Sequence, residues 1–384
     1  MLLGLFARTS ERGRVLTKRV LTGVALGALA VAVWGVMITR NESAAQVKNF
    51  DITWIDTEGG AATLMVTPGG DSFLIDTGYP DADRDAKRIF AAAQKAGLSK
   101  IDHVLISHFH GDHVGGLRAL SKMIPIDKFY DHGDVVDEVD RGRLNDYKDI
   151  AGSNRVIVKP GDEIALKGGV KVTVVASEAK FIDKPFNGGG PNPLCADAPQ
   201  MTPAAGENQR TVGVLVSYNS FTYLNTIDID WGTEMLLACP INKVGQVTVF
   251  QTGRHGAGDG ANAPGFIGAI KPQVVVVNNG PRKGFGAADD RVKPISIPDK
   301  TFAPYERVTF LRYAKLPSTE GIWQGHLSLL DKDPSHNTAP DQIANFEETA
   351  NCQGHGITAS VAADGKFTMT NLRNGFSKSY TARR

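Results

Sequence analysis

A chain of 384 residues with 42% hydrophobic and 22% charged content is long enough for one large core or two smaller ones, and too apolar to be disordered over most of its length. Its 42 basic and 41 acidic side chains leave a formal net charge of +1, so no global basic field draws in nucleic acid. The three cysteines, Cys195, Cys239 and Cys352, show no CxxC spacing and argue against a cysteine-based zinc site; one disulfide with a free thiol and three unpaired thiols both stay open.

At the N-terminus, Arg8, Arg12, Arg14, Lys18 and Arg19 precede an uncharged, mostly apolar run from Val20 to Thr39. Twenty residues at 1.5 Å each cross about 30 Å of hydrocarbon, and the basic flank predicts a cytoplasmic N-terminus with the rest of the chain exported. Ser43-Ala44-Ala45 offers small residues to a signal peptidase. Residues 1–45 therefore read either as an inner-membrane anchor, with the remainder facing the periplasm or cell exterior, or as a cleaved signal for a secreted or periplasmic protein. Setting aside these residues, which hold six Lys/Arg and two Asp/Glu, 36 basic groups face 39 acidic ones, a net charge near −3.

Beyond the apolar run, "NFDITWID", "AATLMVTP" and "SFLID" read as a meander of antiparallel strands, with Gly69-Gly70 at the second turn. "DADRDAKRIFAAAQKAGL" has helix composition, with Ile89, Phe90 and Ala93 on one face and Gly97 as a stop. The strand "IDHVLIS" leads into a histidine cluster and a helix expected from about Val114 to Met123. "PFNGGGPNPLCADAPQMTPAAGENQ" reads as a long loop; its glycines lack the Lys-Ser/Thr of a phosphate-binding loop. The outline then repeats: "TVGVLVSYN" and "FTYLNTIDI" form a hairpin around Asn219-Ser220, followed by a helix from about Trp231, the strand "QVTVFQT", a helix near Phe266 and the strand "QVVVVNN". Past Gly284 the signal weakens to one hairpin, "GITASVAADGKFTMTN", with Asp364-Gly365 at its turn.

The chemistry concentrates in "VLISHFHGDHVGG", where three of the nine histidines and an aspartate fall within six residues at the end of a strand. A sheet holds such a cluster in place while loop side chains converge. His108 and His110 point to the same side of an extended segment and suit one metal. Gly111 lets the chain turn, so that Asp112 and His113 face a second metal nearby.

"SHFHGDHVGG" with the upstream "LIDTG" resembles the metallo-β-lactamase superfamily of hydrolases, over roughly Asp51 to Asn279. The resemblance implies an αββα sandwich of two similar halves over residues 46–286, with residues 287–384 as an extension packed on the same domain and ending in a β-hairpin. It implies two metal ions, usually Zn2+, with Mn2+ or Fe2+ as alternatives, held by His108, His110, Asp112, His113, Asp228 and His255. Asp76 in "LIDTG" would orient the metal loop from behind. "TVGVLVSYNSFTYLNTIDI" and "VTVFQTGRHGAG" are most similar to the metallohydrolase domain of competence-type DNA-uptake proteins, which carry a glycine where Ile227 stands and a histidine where Arg254 stands. On that alignment Arg254 lies beside the metals, where it could bind an anionic substrate, and His255, shifted by one residue, is the remaining ligand. Asn208 and His132 are further residues expected to line the site.

The expected reaction is hydrolysis of a small-molecule ester, lactone, amide or phosphoester by water made nucleophilic between two cations, without a covalent enzyme intermediate and with Asp112 or Asp228 orienting the water. Two alternatives are a competence-type nuclease or phosphodiesterase, opposed by the charge near −3, and a binding protein on a decayed hydrolase scaffold, motivated by Ile227 and Arg254. If residues 1–45 are retained, the membrane is a further partner.

Overall fold

A computed structural model describes residues 48–198, 203, 205–258, 260–285, 308–331, 333–348 and 351–383. The run from Val20 to Thr39 and the boundary at residue 45 lie outside them. Among the described residues, no helix is long and apolar enough to cross a membrane.

Two large mixed sheets stack face to face. The first, in spatial order, runs Ser377–Thr381, Lys366–Asn371, Ile357–Val361, Phe50–Trp54, Thr63–Val66, Ser72–Ile75, Ile101–Leu105, Ile126–Asp131, Arg155–Ile157. The second runs Ile343–Asn345, Gly321–His326, Val274–Val277, Val249–Gln251, Phe221–Asn225, Gly213–Tyr218, Lys171–Ser177, Glu163–Ala165. Alternation along the strands sends one set of side chains, including Phe50, Phe73, Val174, Tyr223 and Trp323, into the space between the sheets. Each such burial stabilises by about 1.5–3 kcal/mol.

The opposite faces are covered by helices, because strands buried on both sides need a second apolar partner. Helix Arg84–Lys95 lays Ala86, Ile89 and Ala93 on the first sheet and stops before Gly97, whose φ of 74° reverses the chain. Leu117–Met123 and Arg141–Ala151 share that face. Trp231–Ala238, Pro264–Ile270 and Thr309–Ala314 accompany the second sheet. The layers are helix, sheet, sheet, helix.

The antiparallel meander of the first three strands is present, as are both hairpins. The helix expected from Val114 to Met123 is two helices, Gly111–Val114 and Leu117–Met123. Gly115 and Gly116 separate them at a close approach: a Cβ on Gly115 would collide with Gly111 and Pro80, and one on Gly116 with the Thr77 carbonyl. Residues past 308 add two strands to the second sheet and three to the first. Strand Gly321–His326 escapes a pattern search because Gly325 and the buried Gln324 interrupt its apolar run; the Gln324 amide instead bonds the His326 carbonyl at 2.6 Å.

Cys195 and Cys239 form a disulfide with Cα atoms 5.7 Å apart, tying the Gly/Pro-rich segment to the end of helix Trp231–Ala238. Cys352 is unpaired, and burial together with the Asp56 carboxylate pushes its thiol up to about 12. A thiol so raised stays protonated, the less nucleophilic form, at neutral pH.

The strands Ser72–Ile75, Ile101–Leu105 and Ile126–Asp131 run parallel in one sheet. Phe221–Asn225, Val249–Gln251 and Val274–Val277 do so in the other. The carboxyl ends of these strands supply Asp76, the His108 loop, Asp228, the His255 loop and Asn278, which gather at one edge of the sandwich. Such edges are where α/β sheets bind ligands.

Candidate metal centre

Four non-glycine residues at this edge hold left-handed backbone: Asp76 (φ 60°), Ile227 (φ 56°), Arg254 (φ 48°) and His255 (φ 57°). Each costs on the order of 1–3 kcal/mol, a strain that collects at functional sites. At Ile227 a β-branched residue is the worst choice for that backbone, and burial of its side chain to 2% exposure offsets the strain.

The left-handed turn at Arg254 and His255 aims the His255 ring inward. Its Nε2 lies 3.3 Å from Asp112 Oδ2 and 3.5 Å from Asp228 Oδ1. His113 Nε2 lies 3.4 Å and 3.6 Å from the same two oxygens. A tetrahedral ion bound at about 2.1 Å places neighbouring donors about 3.4 Å apart, and these four histidine–carboxylate distances match that spacing. His113 Nε2, His255 Nε2 and Asp228 Oδ1 are buried and have no hydrogen-bond partner, an arrangement that costs free energy unless a cation satisfies all three. Two imidazoles and two carboxylates suit a first-row divalent ion.

A second position adjoins it. His108 Nε2 and His110 Nδ1 face each other at 3.0 Å, and donor atoms of His108, His113 and Asp228 all lie within 4.8 Å of one another. Asp228 thus stands between the two positions.

The outward ring nitrogens are tied down, which leaves the inward ones to face a metal. His113 Nδ1 meets Asp76 Oδ2 at 2.8 Å, and Asp76 also accepts from the Ser107 N–H at 2.8 Å. His108 Nδ1 meets Ser107 Oγ at 3.1 Å, and His255 Nδ1 meets Asn278 Nδ2 at 3.0 Å. His110 Nε2 points toward Asp140 Oδ2 at 3.7 Å. Burial opposes the charge on Asp112 and Asp228, yet the neighbouring His113 and His255 hold both carboxyls well below their usual range. Burial holds His108 well below its ordinary value.

A sequence profile described as Metallo-beta-lactamase superfamily matches residues 56–178, which include the histidine loop. Residues 56–178 thus belong to the metallo-beta-lactamase superfamily. Over 74 residues it is 36% identical to a metal-dependent hydrolase of Cupriavidus metallidurans, covering 18% of this chain and 22% of that one. Over 107 residues it is 33% identical to the atrochrysone carboxyl ACP thioesterase of Passalora fulva, covering 27% and 31%. The chain thus spans less than a third of the length of these curated relatives. Among solved structures, a metallo-beta-lactamase of Cronobacter sakazakii is 16% identical with a TM-score of 0.29, covering 47% of this chain and 64% of that one. CmlA, a diiron beta-hydroxylase from Streptomyces venezuelae, is 16% identical with a TM-score of 0.34, covering 60% and 44%. Structural likeness at that level decides nothing about chemistry.

At this edge of the sandwich, three expected site residues need correction or refinement. Arg254 has a left-handed backbone, and its guanidinium lies against Gly260, where an added Cβ would come within 2.5 Å of Nη1. His132 is 1% exposed, with Nε2 on Glu207 Oε1 at 2.8 Å, so it braces the loop from beneath and does not reach a substrate. Glu207 also accepts the Phe109 N–H at 3.1 Å, between the ligands His108 and His110. Asn208 follows Glu207 and keeps a buried, unpartnered Oδ1.

Lys283 is the residue that sequence reading missed. Its ammonium bonds Asp112 Oδ2, and it donates to Tyr79 Oη at 2.9 Å while lying 5.2 Å from that ring's centre. Burial opposes its charge, but Asp112 and Tyr79 raise its pKa. With 39% of the side chain exposed against 3% for His255, Lys283 sits at the rim of the site while the ligand stays on the floor. "NNGPRKGFG" contains no motif that signals this role; only the folding of the second half over the first brings Lys283 to Asp112.

Proposed function

We propose that the protein is a metal-dependent hydrolase whose centre holds two ions, Zn2+ first among them, and cleaves a small-molecule ester, lactone, amide or phosphoester. The observation that carries this reading is the set of unpartnered inward atoms, His113 Nε2, His255 Nε2 and Asp228 Oδ1, spaced with Asp112 Oδ2 as ligands of one ion. Asp112, His113, His255 and Asp228 would hold one metal, and His108, His110 and Asp228 the other. Divalent ions bound there supply two things: a water acidic enough to ionise near neutral pH and polarisation of the scissile oxygen. The chain supplies the rest. Asp112 and Asp228 orient the attacking water, Asp76, Ser107 and Asn278 fix the ring orientations, and Lys283 with Tyr79 presents donors at the rim to a substrate oxygen carrying negative charge. His255 Nε2, within 3.3 Å of Asp112 and 3.5 Å of Asp228, supports the hydrolase reading over a decayed scaffold.

The test is metal content alongside turnover. Protein stripped and reloaded with zinc should hold close to two equivalents and hydrolyse some member of a panel of esters, lactones, amides and phosphodiesters. Protein that retains less than one equivalent and acts on none of them refutes the reading.

We also propose export. The Cys195–Cys239 disulfide suits an oxidising compartment, and the basic flank before Val20 suits a cytoplasmic N-terminus. A reporter fused after Gln46 should be active outside the cytoplasm; activity confined to the cytoplasm contradicts this.

A further inference from the structure

The turn that presents His255 is held from behind by a part of the chain far beyond it. Asn262, fully buried, accepts the Gly253 N–H on Oδ1 at 3.1 Å and donates from Nδ2 to the carbonyls of Gly253 and Ala257 at 3.0 Å each. One amide thereby clamps both ends of the turn that contains the left-handed Arg254 and His255. Tyr313, also fully buried, donates its hydroxyl to the same Asn262 Oδ1 at 2.7 Å. Arg312, next to it on helix Thr309–Ala314, donates to the carbonyls of Gly258, Ala261 and Asn262 at 2.6, 3.1 and 3.1 Å.

These bonds have a common geometry. A turn with two consecutive left-handed non-glycine residues relaxes unless its surroundings over-determine it. The Asn262 amide has both donors and its acceptor engaged, and the turn's backbone fixes which way round it sits: an amide rotated by 180° would set an N–H against the Gly253 N–H and its oxygen against the Gly253 and Ala257 carbonyls, while the Tyr313 hydroxyl adds a second donor to the oxygen so oriented. None of the three residues is a metal donor, and none is in either proposed ligand set.

We infer that Asn262 and Tyr313 are positioning residues that lock His255 toward the metal, so that the segment Val308–Leu316 sets metal affinity at the position formed by Asp112, His113, His255 and Asp228. This rests on the reading that the site holds metal. The role assigned to the segment is not one that packing alone would fulfil, because it depends on a single hydroxyl and a single amide.

Full-length protein titrated with zinc against a chromogenic chelator provides the test. Tyr313→Phe removes only the hydroxyl and leaves the ring in the core, so it should fold even if Asn262→Ala does not. The expected result is a loss of affinity of about ten-fold at one zinc site and none at the other, since partners behind a ligand are worth about 10–100-fold. Leu316→Ala, a packing contact of the same segment, should lower the thermal midpoint without moving either zinc affinity. Unchanged zinc affinity in Tyr313→Phe, or an equal loss in Leu316→Ala, overturns the inference. Wild-type protein that binds no zinc would instead refute the metal reading on which it rests.

Discussion

The two proposed metal positions are built in different ways. The position of Asp112, His113, His255 and Asp228 draws its donors from three separate segments of the chain and both sheets, and all four spacings fall between 3.3 and 3.6 Å. The position of His108 and His110 draws its two histidines from one loop and shares Asp228. A local motif thus supplies the less complete position, while the complete one exists only after the halves of the sandwich have packed. The resemblance expects the same ligand there, His255, shifted by one residue and next to Arg254. The backbone is left-handed at both Arg254 and His255, and His255 Nε2 comes to 3.3 Å from Asp112 and 3.5 Å from Asp228.

The largest expected effect comes from the shared residue. Asp228→Ala should abolish hydrolysis and reduce zinc content at both positions, measured by elemental analysis after gel filtration. His110→Ala separates the two: turnover should vanish while about one equivalent of zinc stays bound at the other position. Loss of both ions in His110→Ala would show that the positions fill only together.

Lys283→Met should follow. Removing the rim ammonium should raise KM about ten-fold for an anionic ester relative to its neutral analogue, with kcat altered less. Equal effects on both esters would assign Lys283 to Asp112 alone.

Beneath the complete position lies Glu234, with Oε2 on the Ala263 N–H at 2.8 Å and Oε1 unpartnered. Burial pushes its carboxyl up to about 8. The folded state therefore keeps a proton that the unfolded chain releases near 4.5. The unfolded state binds fewer protons across that window, so stability falls as pH rises from about 4.5 to about 8. Glu234→Gln cannot ionise and should be more stable than wild type by a few kcal/mol at pH 8, with the gain shrinking toward pH 5. Parallel thermal midpoints for both proteins across this range would contradict the assignment.

The smallest effect is expected at Arg254. With its guanidinium on Gly260, Arg254→Ala should change zinc affinity and the anionic-to-neutral ester ratio by less than about two-fold. A marked tightening of zinc would place the guanidinium back beside the ligands.

How far the sequence could be read follows from the same contrast. Elements with local signals, such as helix Arg84–Lys95 with its apolar stripe and the hairpin at Asn219-Ser220, stand close to where periodicity and turn chemistry put them. The residues of the HxHxDH loop and Asp76 come together because they sit on adjacent strands of one sheet. The resemblance to the competence-type branch rests on residues up to His255, most of them beyond the matched residues 56–178. Lys283, Asn262 and Tyr313 carry no local signature at all. Their contacts span sequence separations of 171 for Lys283 with Asp112 and 51 for Tyr313 with Asn262, and only tertiary packing brings them together. Backbone conformation was equally hidden: nothing in "TGRHG" announces that Arg254 and His255 are both left-handed, and that conformation decides which of them faces the metal.

The central claim is that the complete position is the one assembled across the halves. A crystal structure of the protein loaded with a single equivalent of zinc, read from anomalous scattering at the zinc edge, addresses it directly. The expected peak lies among Asp112 Oδ2, His113 Nε2, His255 Nε2 and Asp228 Oδ1. A peak between His108 Nε2 and His110 Nδ1, with the His255 side empty, would contradict it.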